Sequence, residues 1–229
     1  MLRLIAVLCL AALLTACAKD KTEPPDTSTD PEALLTLAAL KVQEAGTFHF
    51  KLTHENGTTP LPAGLQLVSA EGDFQVPGRL AADVRARATG GINVSVKILA
   101  IDNQIWITNP FTRDWQRVPG ASLRDLADPG TLVTTLLPKV VDPTLSDGGD
   151  IDGTRTLKIE GTIDSGELRD ALSFARAGHS VKVEAWIGAA DSLPRRIRLT
   201  GRLVSDEAEN VQRQIDLSRF GEAVQINPP

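Results

Sequence analysis

The sequence has no tyrosine, only three tryptophans and only two cysteines in 229 residues. Both cysteines, Cys9 and Cys17, lie near the N-terminus, so the rest of the chain can form no disulfide and offers no thiol for chemistry. The excess of one sign of charge is also small, because the chain has 24 basic and 29 acidic residues, for a net charge of −5. A mildly acidic chain lacks the electrostatic footprint of a nucleic-acid-binding protein.

Motifs for catalysis and for metal binding are missing as well. No Gly-x-Ser-x-Gly elbow, glycine-rich phosphate loop or HExxH motif occurs, and the three histidines have no metal-ligand spacing. Asp147, Asp150 and Asp152 share one segment but lack EF-hand spacing, so we interpret them as a solvated loop rather than a Ca²⁺ site. We expect no catalytic residue, no metal and no cofactor, and therefore a protein that is not an enzyme.

The N-terminal segment is the most informative part of the chain. Arg3 supplies a positive n-region and Leu4 to Leu14 form an apolar h-region, as in a secretory signal peptide. The apolar run is too short to cross a bilayer, which needs about 20 apolar residues. Two small residues then precede Cys17, in an arrangement that resembles a bacterial lipobox. We predict a lipoprotein signal peptide over residues 1–16 and a lipidated Cys17; the alternative is an ordinary secretory signal with an incidental cysteine.

The predicted location follows from the lipid anchor. Cys17 would carry a diacylglyceryl group with acyl chains such as palmitate, and two chains give stable membrane attachment. We therefore expect a protein anchored to the cell membrane on the extracytoplasmic face. Residues 17–30 are polar, rich in Thr, Asp and Pro and without an apolar face, which is typical of a flexible tether. We assign the folded domain to residues 31–229.

The first half of this domain has the pattern of one helix followed by a β-meander. Asp30-Pro31 is an N-cap followed by proline, and Gly46 suits a C-terminus, so we predict a helix over residues 31–45. Apolar and polar residues then alternate in short segments separated by turns, which predicts antiparallel strands in successive hairpins. These strands lie at residues 47–55, 65–76, 80–88, 92–98, 104–108 and 115–118, with a bulge expected at 71–73.

The second half mixes helices and strands. We predict a helical turn at 122–126 and a helix at 129–137, which Pro138 closes. Residues 146–153 are polar and glycine-rich, which predicts a loop, and Asp164 with Glu167 resembles a capping box that opens a helix to residue 177. Further strands are predicted at 154–163, 181–187, 197–203 and 211–217, the last of which could extend to residue 226.

About eight to ten antiparallel strands and about three or four helices indicate an α+β fold. Each strand has one polar face, so one face of the sheet meets water and the other needs a cover. A few helices can cover only one face of one sheet. We therefore expect a single large, curved antiparallel half-barrel sheet with helices packed on its concave face.

Small residues stand at several inward positions of the predicted strands, including Ala82, Ala86 and Ala185. They either admit close helix packing in a filled core or leave an apolar cavity between sheet and helices. In the second case acyl chains would lie against the helix at 129–137, with residues 121–145 as the lid. The residues predicted to bind lipid are Phe50, Leu67, Leu80, Ala82, Val84, Ala86, Val94, Val96, Leu132, Val133, Leu136, Leu137, Leu172, Val183 and Ile187.

Several segments resemble the LppX/LprA/LprF/LprG lipoprotein family, best known from mycobacteria. They are the lipobox, Ala45-Gly46-Thr47-Phe48-His49-Phe50, the strand at 67–72, Ile105-Trp106-Ile107 with Trp115, Asp128-Pro129 with Leu136-Leu137, and the closing segments 183–187, 191–193 and 195–201. The resemblance implies a LolA/LolB-like half-barrel closed by helices, with a hydrophobic cavity for acyl chains of lipids or lipoglycans. It also implies carriage of those lipids from the inner membrane to the cell envelope. Residues 146–153 and 206–209 match no motif of the family.

Two functions are therefore considered. The first is a membrane-anchored lipoprotein that binds acyl chains of a lipid or glycolipid in a hydrophobic cavity and carries them across the cell envelope. The second is an envelope interaction or sensor module with a filled core that binds a protein partner. Neither involves nucleic acid.

Two groups of side chains leave alternatives open. Trp106 and Trp115 could line a cavity mouth, meet a membrane interface or pack in the core. Arginines 195, 196, 198 and 202 could meet anionic lipid headgroups or form a solvated strand face.

Overall fold

Twelve β-strands and two α-helices make up the described part of this computed structural model, which comprises residues 30–61, 64–102, 104–126 and 128–229. The helices are α1 (Pro31–Ala45) and α2 (Pro129–Leu136). The strands are β1 (Thr47–Glu55), β2 (Thr59–Pro60), β3 (Gln66–Gln75), β4 (Arg79–Arg87), β5 (Asn93–Ile101), β6 (Gln104–Thr108), β7 (Trp115–Val118), β8 (Val141–Ile151), β9 (Thr154–Asp164), β10 (Ser180–Gly188), β11 (Pro194–Thr200) and β12 (Gln212–Ser218). Short 3₁₀ turns lie at Thr89–Gly91, Leu123–Leu126, Leu137–Lys139 and Ser165–Leu168. The predicted signal peptide, Cys17 and the tether up to residue 29 lie outside the described residues.

All the strands belong to one antiparallel sheet in the order β7-β6-β5-β4-β3-β1-β12-β11-β10-β9-β8, with β2 paired to β3. β1 is central because it pairs with β3 on one side and with β12, the last strand, on the other. The sheet is curved and does not close, since its outermost strands, β7 and β8, are not paired with each other. The predicted α+β fold, with one large curved antiparallel sheet and helices on its concave face, is confirmed.

α1 begins and ends where the sequence predicts. The Asp30 carboxylate accepts a hydrogen bond from the Glu32 amide at 3.1 Å, and Gly46 adopts a left-handed conformation (φ 73°) that favours glycine. The helix contributes Leu34, Leu35, Ala38, Ala39 and Val42 to the same core as the inward strand residues. α1 also contacts α2 and the 3₁₀ turn after it, so the helices form one layer against the sheet.

Close approach of β3 and β4 shapes the sheet above this core. Leu80, Ala82, Val84 and Ala86 on β4 are buried on the concave face, as their alternation predicts. Gly72 on β3 pairs with Ala82, and a Cβ atom at Gly72 would lie 2.1 Å from the Ala81 carbonyl oxygen. The two strands can come this close only because residue 72 has no side chain. The expected bulge at 71–73 is misplaced, because the register shift lies between Leu67 and Ser69.

The polar segment 146–153 is part of a hairpin, so its prediction as a loop is wrong. Residues 146–151 lie in β8, and Asp152 and Gly153 form the turn to β9 with φ angles of 48° and 77°. β8 is an edge strand whose residues are all exposed or half-buried. Since such a strand needs no apolar face, hydrophobic alternation does not reveal it. β8 and the two-residue β2 account for a strand count above the expected eight to ten.

Residues 164–177 do not form the expected helix; only Ser165–Leu168 make a 3₁₀ turn. The Asp164 carboxylate accepts hydrogen bonds from the Gly166 amide at 2.7 Å and from the Gly178 amide at 3.0 Å. A continuous helix would hold those two amides about 18 Å apart, beyond the reach of one carboxylate. The segment folds back in turns instead, and these still bury Leu168, Leu172 and Ala175. The described helices therefore number two rather than three or four.

The hydrophobic core is drawn from residues between Leu34 and Leu217. A chain that begins at residue 18 therefore contains the whole core but no cysteine. The expected lid, 121–145, runs into β8 at residue 141, so only its first part covers the concave face. β12 ends at Ser218 and does not extend to residue 226. No helix within the described ranges is long and apolar enough to cross a membrane.

Candidate functional site

An apolar cavity lies between the concave face of the sheet and the segments that cover it. Its volume is about 50 Å³. Among its seventeen lining residues only Thr59 and Arg213 are polar. The full lining is Phe50, Leu52, Thr59, Leu61, Leu67, Ala70, Leu80, Ala82, Val84, Ile98, Leu126, Pro129, Leu132, Leu172, Leu199, Arg213 and Ile215.

Six adjacent strands, from β5 through β4, β3, β1 and β12 to β11, supply the sheet wall of the cavity. Small residues occupy its middle: Ala70 pairs with Val84 across β3 and β4, and Ala82 pairs with Gly72. Because Ala70, Ala82 and Gly72 carry at most one side-chain carbon each, the larger side chains around them leave a gap. The cavity is the space that remains.

The opposite wall is a cover made of Leu126, Pro129, Leu132 and Leu172. Asp128 holds this cover together. Its carboxylate accepts hydrogen bonds from the Gly130 and Thr131 amides, both at 3.0 Å, and its own amide donates to the Ala171 carbonyl at 3.1 Å. The start of α2 and the turns at 165–177 are therefore joined directly beside the cavity.

The cavity is too small for an acyl chain as it stands. Its volume of about 50 Å³ is about a third of the 150 Å³ of an engineered cavity that holds benzene. A lipid chain has many more carbon atoms than benzene. An acyl chain can therefore enter only if the cover moves away from the sheet.

One end of the cavity carries a chain of buried polar groups. The Thr59 hydroxyl accepts a hydrogen bond from Arg213 Nε at 2.9 Å and lies 2.8 Å from His54 Nε2. His54 Nδ1 donates to the Val68 carbonyl at 2.9 Å, so Nε2 is left to accept the Thr59 proton. Burial, with a smaller effect of the nearby Arg213 charge, lowers the pKa of His54 to about 4. His54 is therefore neutral at pH 7.

Arg213 is a buried charge with a complete set of partners. It is 4% exposed, and its Nη2 lies 2.6 Å from Glu207 Oε1. It also donates to the carbonyl oxygens of Gly201 at 3.2 Å and Thr58 at 3.4 Å. Burial lowers the pKa of Arg213, and the Glu207 carboxylate opposes that effect. The pair closes one end of the cavity and ties β12 to the loop before it.

Seven of the fifteen residues predicted to bind lipid line this cavity: Phe50, Leu67, Leu80, Ala82, Val84, Leu132 and Leu172. The other eight do not. Val94 is half-buried, and Ala86, Val96, Val133, Leu136, Leu137, Val183 and Ile187 are buried elsewhere. The prediction treated every inward residue alike, whereas the cavity occupies one part of the concave face. α2 shows the difference, since Leu132 lines the cavity and its neighbour Val133 does not.

Ten lining residues were missed, and they fall into three groups. Leu52, Ile98, Leu199 and Ile215 occupy inward strand positions, so alternation contained a signal for them. Thr59 and Arg213 are polar and 154 residues apart, and nothing in the sequence joins them. The remaining four are Leu61, Ala70, Leu126 and Pro129.

The other groups considered from the sequence lie away from the cavity. Arginines 195, 196, 198 and 202 lie within 3.8 Å of the carboxylates of Asp191, Asp216, Glu184 and Glu209, respectively. Each of these arginines thus has a carboxylate partner within the protein, although Arg198 shares Glu184 with Lys158 and Lys182. Trp106 is half-buried and Trp115 is 36% exposed, and neither lines the cavity. In the part of the chain that the structure describes, no cluster of His, Cys, Asp and Glu could hold a metal ion.

Comparison with known proteins gives both a family and a fold. A family profile described as LppX_LprAFG lipoprotein matches residues 30–226. The chain is similar in structure to LprF from Mycobacterium bovis, with 19% identity, a TM-score of 0.66, and coverage of 87% of this chain and 96% of that one. It is also similar to the Mycobacterium tuberculosis lipoprotein LppX, with 22% identity, a TM-score of 0.56, and coverage of 86% and 100%. Comparison with curated protein sequences gives no match.

Proposed function

The chain belongs to the LppX_LprAFG lipoprotein family, and from that premise we propose that it is a lipid carrier of the cell envelope. The acyl chains of a lipid or glycolipid would enter the apolar cavity under the curved sheet. The observation that carries this proposal is the lining, in which only Thr59 and Arg213 are polar. Such a surface suits an apolar ligand, because each buried methylene contributes about 0.8 kcal/mol.

The proposal includes the anchor. Signal peptide removal after residue 16 would leave Cys17 acylated, and residues 17–30 would tether the lipid-binding domain, residues 31–229, to the extracytoplasmic face of the membrane. Membership of a lipoprotein family supports this location. The protein would act without catalysis, because transfer of an intact lipid breaks no covalent bond.

The predicted ligand contacts fall into two sets. The seven that line the cavity would touch the first part of an entering chain. Ala86, Val94 and Val96 lie on the same face farther along β4 and β5, where a longer chain would extend once the cover moves. Val133, Leu136, Leu137, Val183 and Ile187 are buried in the surrounding core, so they would meet lipid only if the cavity widened toward them.

Lipid analysis of the purified protein tests the proposal. The chain from residue 18, made in bacteria, should retain a lipid after purification, and organic extraction with mass spectrometry should find it at a stoichiometric amount. Leu132→Trp, which places a larger side chain in the cavity, should reduce retained lipid at least tenfold. Leu40→Trp is the matched control, because Leu40 lies on α1 and is 49% exposed.

The proposal fails if no preparation contains lipid and a fluorescent long-chain fatty acid does not bind. It also fails if Leu132→Trp and Leu40→Trp retain the same amount of lipid as the parent while far-ultraviolet circular dichroism shows both to be folded.

A second function is favoured by one observation, the volume of only about 50 Å³. A core that is almost filled suits an envelope interaction or sensor module, which would bind a protein partner at its surface. Cross-linking in intact membranes distinguishes the two. If this protein is cross-linked to a single partner protein and its own domain contains no lipid, the result would support the interaction module.

A further inference from the structure

Two turns at one end of the sheet expose large apolar side chains. Phe111, in the β6–β7 turn, is 87% exposed, and Ile92, in the β4–β5 turn, is 63% exposed. The turns are neighbours, because β5 and β6 pair antiparallel and Arg113 Nη1 donates to the Ser95 carbonyl at 3.3 Å. Ser95 is three residues after Ile92, which is about 10 Å along a strand.

The backbone of the β6–β7 turn is held by local hydrogen bonds. The Asn109 side-chain oxygen accepts from the Phe111 amide at 2.9 Å and from the Thr112 amide at 3.2 Å. The Asn109 amide donates to the Asp114 carbonyl at 2.8 Å, which closes the turn. The exposure of Phe111 is thus a property of an ordered turn.

The surroundings of these two side chains are basic, although the whole chain carries a net charge of −5. Residues 85–95 and 109–117 contain four arginines and one acidic residue, Asp114, for a local charge of +3. Arg85, Arg87, Arg113 and Arg117 are all exposed, and none forms an ion pair with a residue of the described ranges. By contrast, the arginines of β11 are paired within the protein.

We infer that this end of the sheet docks on a membrane surface rich in anionic lipid. We call it the tip surface and define it as Ile92, Phe111, Arg85, Arg87, Arg113 and Arg117. The two apolar side chains would enter the headgroup region while the arginines meet lipid phosphates. Trp115, 36% exposed just after the β6–β7 turn, suits the same interface.

Charge complementarity and position favour this occupant. Four guanidinium groups without an ion-pair partner among the described residues match a uniformly anionic surface, and Ile92 and Phe111 stand on exposed turns. Arg85 directly follows Val84, which lines the cavity. Docking would therefore place the cavity-bearing part of β4 next to the bilayer. The inference does not require the cavity to bind lipid.

Vesicle flotation tests the inference. The chain from residue 18, which has no cysteine to acylate, should float with vesicles of phosphatidylglycerol and phosphatidylcholine at low salt and should dissociate as salt rises. Phe111→Ser should weaken partitioning at least tenfold. Neutralising one arginine, as in Arg87→Gln, should weaken it about fivefold. Leu40→Ser is the control, because it removes an exposed leucine on α1.

Several results would overturn the inference. The inference fails if the parent protein does not bind anionic vesicles, if Phe111→Ser binds as tightly as the parent, or if Leu40→Ser weakens binding as much as Phe111→Ser does. If sedimentation shows that Phe111→Ser converts a dimer to a monomer without changing flotation, the tip surface joins two copies of the chain instead. Binding of a soluble fluorescent fatty acid should be unaffected by Phe111→Ser, which separates this test from that of the cavity.

Discussion

Replacing Ala82 with valine would fill the cavity and weaken binding of an acyl chain. Ala82 is 6% exposed, lines the cavity and lies between Gly72 and Ile98 on the neighbouring strands. Valine adds two carbon atoms and suits a strand. These atoms would occupy the space of two ligand methylenes. At about 0.8 kcal/mol each, the loss is about 1.6 kcal/mol, or about fifteenfold in affinity.

The same substitution should stabilise the free protein. Two methyl groups would enter empty space, and after some loss to imperfect fit we expect the free energy of unfolding to rise by about 1 kcal/mol. A packed position would give the opposite sign, because added carbon atoms there cost about 1–3 kcal/mol. The sign of the stability change therefore reports directly on whether the cavity exists in solution.

Ala81→Val is the matched control, because Ala81 is the preceding residue of β4 and faces outward. Titration with a fluorescent long-chain fatty acid gives the Kd of each variant, and urea unfolding gives the free energy of unfolding. The reasoning is refuted if Ala82→Val binds the fatty acid as tightly as the parent. It is refuted equally if Ala81→Val weakens binding by the same factor.

Three further substitutions test the fold around the cavity. Gly72→Ala should lower the free energy of unfolding by about 3 kcal/mol, because the added Cβ would meet the backbone of β4. Gly78→Ala is its control and should change the free energy of unfolding little, because no atom lies within 4 Å of the added Cβ. Urea unfolding measures both. The folded protein lowers the pKa of His54 from 6.5 to about 4, so the unfolded chain binds the proton more readily than the folded protein does. Stability should therefore fall by about 3 kcal/mol as pH drops from 6.5 to 4, and His54→Gln should remove this dependence in urea titrations at each pH. Asp128→Ala should lower the free energy of unfolding by about 2 kcal/mol, because a buried helix cap is lost. Asp30→Ala, at the exposed cap of α1, should lower it by less. Equal losses would contradict the role of Asp128 in the cover.

Local signals were sufficient for most of the fold. α1 has a cap, a proline and a terminal glycine at the right places, and the central strands alternate between a core face and a solvent face. Both features act over a few residues, so they can be recognised in one sequence. β8 lacks such alternation because it is an exposed edge strand, and the turns at 165–177 depend on a contact between residues farther apart in the chain. β8 is held by its pairing with β9 in the hairpin that they form, and the turns are closed by Asp164 across thirteen intervening residues.

The cavity was less predictable than the fold for a related reason. Alternation identifies which residues face inward, but it does not say where inward side chains fail to meet. That depends on the pairing of Gly72 with Ala82, which the register of the β3–β4 hairpin sets, and on the position of the cover. The polar end was out of reach altogether, because Thr59 and Arg213 meet only through the pairing of β2 with β3, of β3 with β1 and of β1 with β12.

Opening of the cavity and binding of an acyl chain are thermodynamically coupled under the proposed function. Moving Leu126, Leu132 and Leu172 of the cover into water costs about 1.5–3 kcal/mol each, or about 5–9 kcal/mol together. At about 0.8 kcal/mol per methylene, about six to eleven buried methylenes offset that cost. A short chain therefore cannot hold the cover open, whereas a long chain can. A cavity volume of about 50 Å³ is thus compatible with lipid carriage, and the cost of opening makes chain length the first determinant of affinity.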